Sequence, residues 1–205
     1  MLMKTIQLGF TLVELVITIA IAAILASIAI PAFSDFVQDT RISSETNDII
    51  LDFYYARSEA LKRNRRVTIC KSGDPLATDA AAPLAPSCNV ATDYNWSIGW
   101  ITFIDNDADG VRDAGEELLR VHGPLETGLL MYPRVGTDVA IQNFVSYNPR
   151  GIARTSAGVN QNGIFRLCDG RGLGSSRAIT VLQTGRVVST GPTDSAALVV
   201  ACPPP

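Results

Sequence analysis

A single histidine, His122, in 205 residues leaves no material for a multi-histidine metal centre or a catalytic triad built on imidazole. No two of the four cysteines form a CxxC, which argues against zinc sites and thiol redox centres of that spacing. Basic residues are also short. The 17 Lys and Arg against 20 Asp and Glu give a formal net charge of −3, so bulk charge calls for neither nucleic acid nor anionic lipid, and only a local basic patch could serve either. Internal repeats, low-complexity tracts and the glycine period of collagen are missing as well. No nucleophile, base and orienting group stand at a recognisable spacing, and His122, beside Gly123 and Pro124, reads as a strand-end residue. The chain is therefore expected not to be an enzyme.

What the sequence does have is unevenly placed apolarity. At 47% hydrophobic and 18% charged residues, it suffices for one globular domain and an appendage. Leu15 to Ser34 holds no charged residue, and as a helix those residues would span roughly 30 Å, enough to cross a bilayer core. Glu14 stands at the start of this run. A carboxylate near a bilayer centre costs about 2.5 to 3.5 kcal/mol, less near the interface, so Glu14 calls for a partner cation. A cleaved secretory signal fits poorly, because its start would have only Lys4 and its apolar region would begin with an acid. An ordinary single-span anchor carrying an accidental acid is the plainer alternative.

Gly9-Phe10-Thr11-Leu12-Val13-Glu14, with the short leader containing Lys4, the apolar run and Pro31, resembles the processing site of type IV prepilins and type II secretion pseudopilins. The resemblance implies that a prepilin peptidase cuts between Gly9 and Phe10 and methylates the new amine. It also implies that Phe10, Glu14 and Pro31 act in subunit assembly. Physically, the amine of a neighbouring subunit's first residue would neutralise Glu14 and reward docking in register. Pro31 removes one helical N–H and is expected to bend or locally melt the helix. Residues 1–9 then form a leader, 10–35 a transmembrane half-helix and 36–205 a periplasmic domain.

Beyond Pro31, the residues Phe33, Val37, Ile49, Phe53, Ala56, Ala60 and Leu61 recur at helical spacing, which continues the helix amphipathically to about Asn64. Its apolar stripe needs cover from a sheet. Short β segments read at 67–71, 96–104, 117–121, 140–147, 163–168, 178–182 and 198–202, with turn residues between them. Residues 72–95, rich in Ala, Pro, Asp and Ser, read as a long loop. Trp96 and Trp100, four apart in such a strand, would share one face and pack in the core. Four cysteines outside the apolar run suit an oxidising compartment. Of three pairings, Cys70 with Cys88 would close the long loop, and Cys168 with Cys202 would pin the C-terminal tail.

The soluble region narrows the resemblance. Trp96 to Asp105 with Glu116-Glu117-Leu118-Leu119, then Cys168-Asp169, Arg171-Gly172, Arg177-Ala178 and Thr184-Gly185-Arg186-Val187, is similar to the GspH/FimT family of minor pilins and pseudopilins. That implies an α+β, type IV pilin-like fold, a long N-terminal helix packed on an antiparallel sheet. It also implies a low-copy subunit that primes or caps a type IV pilus or a type II secretion pseudopilus. Its expected partners are other major and minor pilins or pseudopilins, the prepilin peptidase and inner-membrane lipid. The expected site is the bacterial inner membrane, single-pass, with incorporation into the filament.

Two ligand readings complete the sequence. Asp105, Asp107, Asp109, Val111, Asp113 and Glu116, with Gly110 at the sixth place, satisfy the twelve-residue pattern of a Ca2+ loop, although strand-like flanks also suit an acidic hairpin tip. No cofactor is otherwise implied. Arginines at 150, 154, 166, 171, 177 and 186 face only Asp169 within residues 150–186, so Arg171, Arg177 and Arg186 are candidate DNA contacts. Some members of the family bind DNA during uptake, and those resemble each other in a Gly-Arg-x-Arg motif. Here Gly185-Arg186-Val187-Val188 lacks the second arginine, which places DNA uptake second to filament assembly.

Overall fold

The computed structural model describes residues 10–77, 86–91, 95–133, 141–155 and 157–191. The chain divides into two compact units, 1–41 and 42–205. Among the described residues one α-helix, α1 (Leu12–Arg63), is followed by eight strands: β1 (Val67–Lys71), β2 (Trp100–Ile104), β3 (Leu118–His122), β4 (Leu130–Pro133), β5 (Phe144–Tyr147), β6 (Gly163–Cys168), β7 (Arg177–Val181) and β8 (Val187–Thr190). In the first unit α1 is helical through Pro31, so the expected local melting does not occur. One missing N–H removes a single i→i−4 bond, and the apolar residues on both sides keep the others.

In the second unit the buried side of α1 is Ile42, Glu45, Thr46, Ile49, Asp52, Phe53, Ala56, Glu59 and Ala60, a stripe with helical period. Leu61, expected on it, is exposed, as are Phe33 and Val37 of the first unit. The strands form two four-stranded antiparallel sheets rather than one, in the orders β3-β2-β1-β5 and β4-β6-β7-β8. Both sheets share one core with α1. Phe53 and Ile49 meet Val67 and Ile69 of β1, Tyr147 of β5, Phe165 and Leu167 of β6 and Ile179 of β7 in the same cluster.

Trp96 is not in a strand. The Gly99 N–H bonds back to the Trp96 carbonyl in a tight turn, and β2 starts only at Trp100. Both indoles still reach the core, with centroids 6.4 Å apart, because the turn redirects Trp96 against Phe165, 5.0 Å away and edge-on. The outer face of the first sheet carries a second cluster of Cys70, Ile101 and Phe103, with Cys88, Leu118, Val121 and Phe144 packed on it. A Cys70–Cys88 disulfide holds the long loop to this face, as the loop-closing pairing anticipates. Cys168 is also disulfide-bonded, whereas Cys202 and the segment 198–202 lie outside the described residues.

Candidate functional site

α1 begins in a capping box. The Thr11 hydroxyl accepts the Glu14 N–H at 3.2 Å, and the Glu14 carboxylate accepts the Thr11 N–H at 3.4 Å, so two donors at the helix start are satisfied reciprocally. The Thr-x-x-Glu signature announces this arrangement in the sequence, yet Glu14 reads there only as an ion-pair partner. Phe10 is 82% exposed, and the large apolar side chains from Leu12 to Phe36 are exposed with it. α1 is long and apolar enough to cross a membrane. Gly9 and the leader lie outside the described residues.

The β2–β3 connection brings part of the acidic pattern together. Asp105, Asp107 and Asp109 offer carboxylate oxygens that all lie within 4.8 Å of one another. Glu116 has a different task from the one its spacing proposes. Its two oxygens accept the N–H groups of Asn106 at 2.6 Å and Asp113 at 3.0 Å, which ties the loop shut. Asp113 stays outside the cluster, and the Val111 N–H is donated to Asp109. Burial pushes the carboxyls of Asp105 and Glu116 above their ordinary values. Hydrogen bonds, from the Thr68 hydroxyl to Asp105 and from backbone N–H groups to Glu116, oppose the shift.

The arginines do not stand as a uniform solvent face. Arg166, on β6, is only 2% exposed and donates to the Ser176 hydroxyl at 3.3 Å. Arg171 is held by Asp169, with Nη2 2.6 Å from the carboxylate, and Arg177 is half-buried on β7. Of the three named as DNA contacts, Arg186 is exposed, in the turn between β7 and β8.

A buried polar group that spacing alone does not announce lies under the first sheet. Asp52, 1% exposed on the apolar side of α1, accepts the Trp100 indole N–H at 2.9 Å. It also ion-pairs with Arg120 at 3.0 Å and faces His122 at 4.0 Å. His122 ends β3, as its sequence position suggests, and its ring stacks on Trp100 with centroids 3.9 Å apart. Burial raises the Asp52 carboxyl above its ordinary 3.8, Asp48 adds to the rise, and His122, Arg120 and Trp100 oppose it. The sign follows from linkage. A carboxyl whose folded value is raised contributes stability below its unfolded value, and that contribution is lost as pH rises through the folded value. Asp52→Asn should therefore show a smaller loss of melting temperature from about pH 4 to 7 than wild type, since only ionisation at this site is removed. Thermal unfolding of the detergent-solubilised chain across that range is the measurement. Parallel pH profiles would show that Asp52 does not titrate in this window.

Comparison with known proteins places these features in context. The family model for the type II transport protein GspH matches residues 45–185, and the prokaryotic N-terminal methylation motif matches residues 4–30. The type IV major fimbrial protein FimA of Dichelobacter nodosus is 54% identical over 41 residues, 20% of this chain and 26% of that protein. Fimbrial protein EcpC of Eikenella corrodens is 50% identical over 46 residues, 22% of this chain and 30% of that one. The chain thus spans under a third of the length of these two relatives. The crystal structure of the type IV minor pilin FimU of Pseudomonas aeruginosa is 18% identical, with a TM-score of 0.52, over 82% of this chain and 98% of that one. That is a likeness of fold.

Proposed function

The chain belongs to the type II transport protein GspH family and is a pilin or pseudopilin subunit, and we propose that it is a minor subunit that primes or caps a type IV pilus or a type II secretion pseudopilus. The observation that carries this reading is a contrast in extent. The similarity to the major fimbrial protein of Dichelobacter nodosus covers 41 residues, whereas the GspH model takes in residues 45–185, most of the β domain. A helix similar to that of a major fimbrial protein is thereby joined to a domain that matches the GspH model.

In this reading residues 10–35 hold the chain in the inner membrane, with 36–205 in the periplasm, until the subunit is drawn into the filament. Prepilin peptidase removes residues 1–9, and the new, methylated amine of Phe10 stands four residues before Glu14. An amine from one subunit against Glu14 of the next replaces two isolated charges in a low-dielectric layer by a pair. The remaining apolar surface of α1 then packs against the helices of homologous subunits. DNA contact is the second reading, and its support is the exposed Arg186.

Quantitative mass spectrometry of sheared filaments tests the proposal. The expected result is a mature chain starting at methylated Phe10, present at far below the abundance of the bulk subunit. A first residue other than Phe10 contradicts the processing step, and abundance equal to the bulk subunit contradicts the minor role.

A further inference from the structure

We infer that Asp105, Asp107 and Asp109 form a binding site for one Ca2+ ion at the start of the β2–β3 connection. Asp105 is the pivot. It follows directly on β2, is 2% exposed, and has one oxygen fully engaged and one not. Its Oδ2 accepts the Thr68 hydroxyl at 2.7 Å, the Gly110 N–H at 3.2 Å and the Ser146 hydroxyl at 3.5 Å. Its Oδ1 is buried with no hydrogen-bond partner. A buried, ionisable oxygen without a hydrogen bond of good geometry is costly; the Ala108 N–H favours this carboxylate, and no side chain completes the set at Oδ1. Among the described residues no Lys or Arg lies within ion-pair distance of the three aspartates, and the Arg66 guanidinium acts on Asp105 only from further off.

The spacing of the three carboxylates fits a single ion. Oxygens that bind one Ca2+ at about 2.3 to 2.6 Å can stand no more than about 5 Å apart, and these lie within 4.8 Å of one another. Asp107 and Asp109 are exposed, so one side of the cluster is open to water, which Ca2+ uses to complete its shell. The loop is already braced. Asp109 accepts the Val111 N–H at 2.7 Å, and Glu116 closes the base through Asn106 and Asp113. Little ordering is left to be done on binding. Three protein carboxylates and water, without Glu116 as a bidentate ligand, suit an affinity of about 10⁻⁴ to 10⁻³ M, the range of extracellular modules. The inference does not depend on whether the subunit primes, caps or contacts DNA.

The experiment uses the full chain in detergent micelles, titrated with CaCl2 by calorimetry and followed by thermal unfolding, with MgCl2 at the same concentrations as control. Ca2+ at 10 mM, a ten- to hundredfold excess over Kd, should raise Tm by about 3 to 10 °C, with Mg2+ giving much less. The double variant Asp107→Asn, Asp109→Asn alters exposed residues only, so it should fold with an unchanged or higher Tm in EDTA and lose the Ca2+ shift. The site is disproved by no heat and no shift up to 10 mM CaCl2, by a shift that persists in the double variant, or by an equal shift with Mg2+.

Discussion

Glu14→Ala should lower the amount of this subunit in sheared filaments about 100-fold while leaving the melting of the β domain unchanged. The magnitude comes from the partner left behind. An amine without its counter-charge in the bilayer core costs about 2.5 to 3.5 kcal/mol, and each 1.4 kcal/mol is about tenfold in occupancy. The structure adds a competing explanation, because Glu14 also caps its own helix through Thr11. Loss of such a cap costs only about 1 kcal/mol, or roughly fivefold, so size separates the two. Glu14→Gln separates them chemically as well, since glutamine keeps the capping box but carries no charge. Incorporation of the Glu14→Gln variant should match that of Glu14→Ala, measured by immunoblot of sheared filaments against whole cells. Near-normal incorporation of the glutamine variant would assign Glu14 to capping alone.

Gly185→Ala should be the most damaging single methyl group in the β domain, lowering stability by more than about 3 kcal/mol and Tm by about 10 °C. Gly185 sits at φ +78°, a backbone region that L side chains rarely adopt, and an added Cβ would fall 2.0 Å from the Gly151 carbonyl oxygen. That oxygen cannot step aside. It accepts the Arg57 Nε–H at 2.9 Å, and the same guanidinium reaches the Thr184 carbonyl at 3.3 Å, so α1 and two loops are pinned at one point. Gly128→Ala is the control. It has a similar φ of +89° with nothing near its Cβ position, and should cost only the backbone strain, about 1 kcal/mol. Equal melting temperatures for the two variants would mean that the contact between the turns at 151 and 185 does not hold the fold.

How far the sequence reveals this molecule varies by element for physical reasons. β1 and β6 fall at the residues expected, since each is a short apolar run buried on both faces and bounded by turn residues. β4 goes unread because Leu130–Pro133 is four residues long and ends in proline, which argues against a central strand; it is in fact an edge strand, where proline is tolerated. β8, also four residues, goes unread because Val187–Thr190 is short and only its first two residues are apolar. The acidic loop shows the limit of spacing. Positions 105, 107 and 109 converge because alternate residues of a tight loop share a side, but Glu116 is drawn to backbone donors that no pattern displays. Asp52 is hidden in a similar way. A lone acid on an amphipathic helix reads as solvated, and only its place beside Phe53 in the buried phase, with Trp100, Arg120 and His122 brought over it by the sheet, makes it a buried hub.

The short link from α1 to β1 bears on mechanics. Only Asn64, Arg65 and Arg66 separate the end of the helix from β1, and β1 is an interior strand bonded to β2 on one side and β5 on the other. Tension carried along the helix therefore enters the domain at a strand clamped on both flanks, and not at an edge strand that could be peeled away one bond at a time. Cys70, in the same strand, ties β1 covalently to the loop that covers the sheet's outer face, so a pull on the helix is shared with that cover as well.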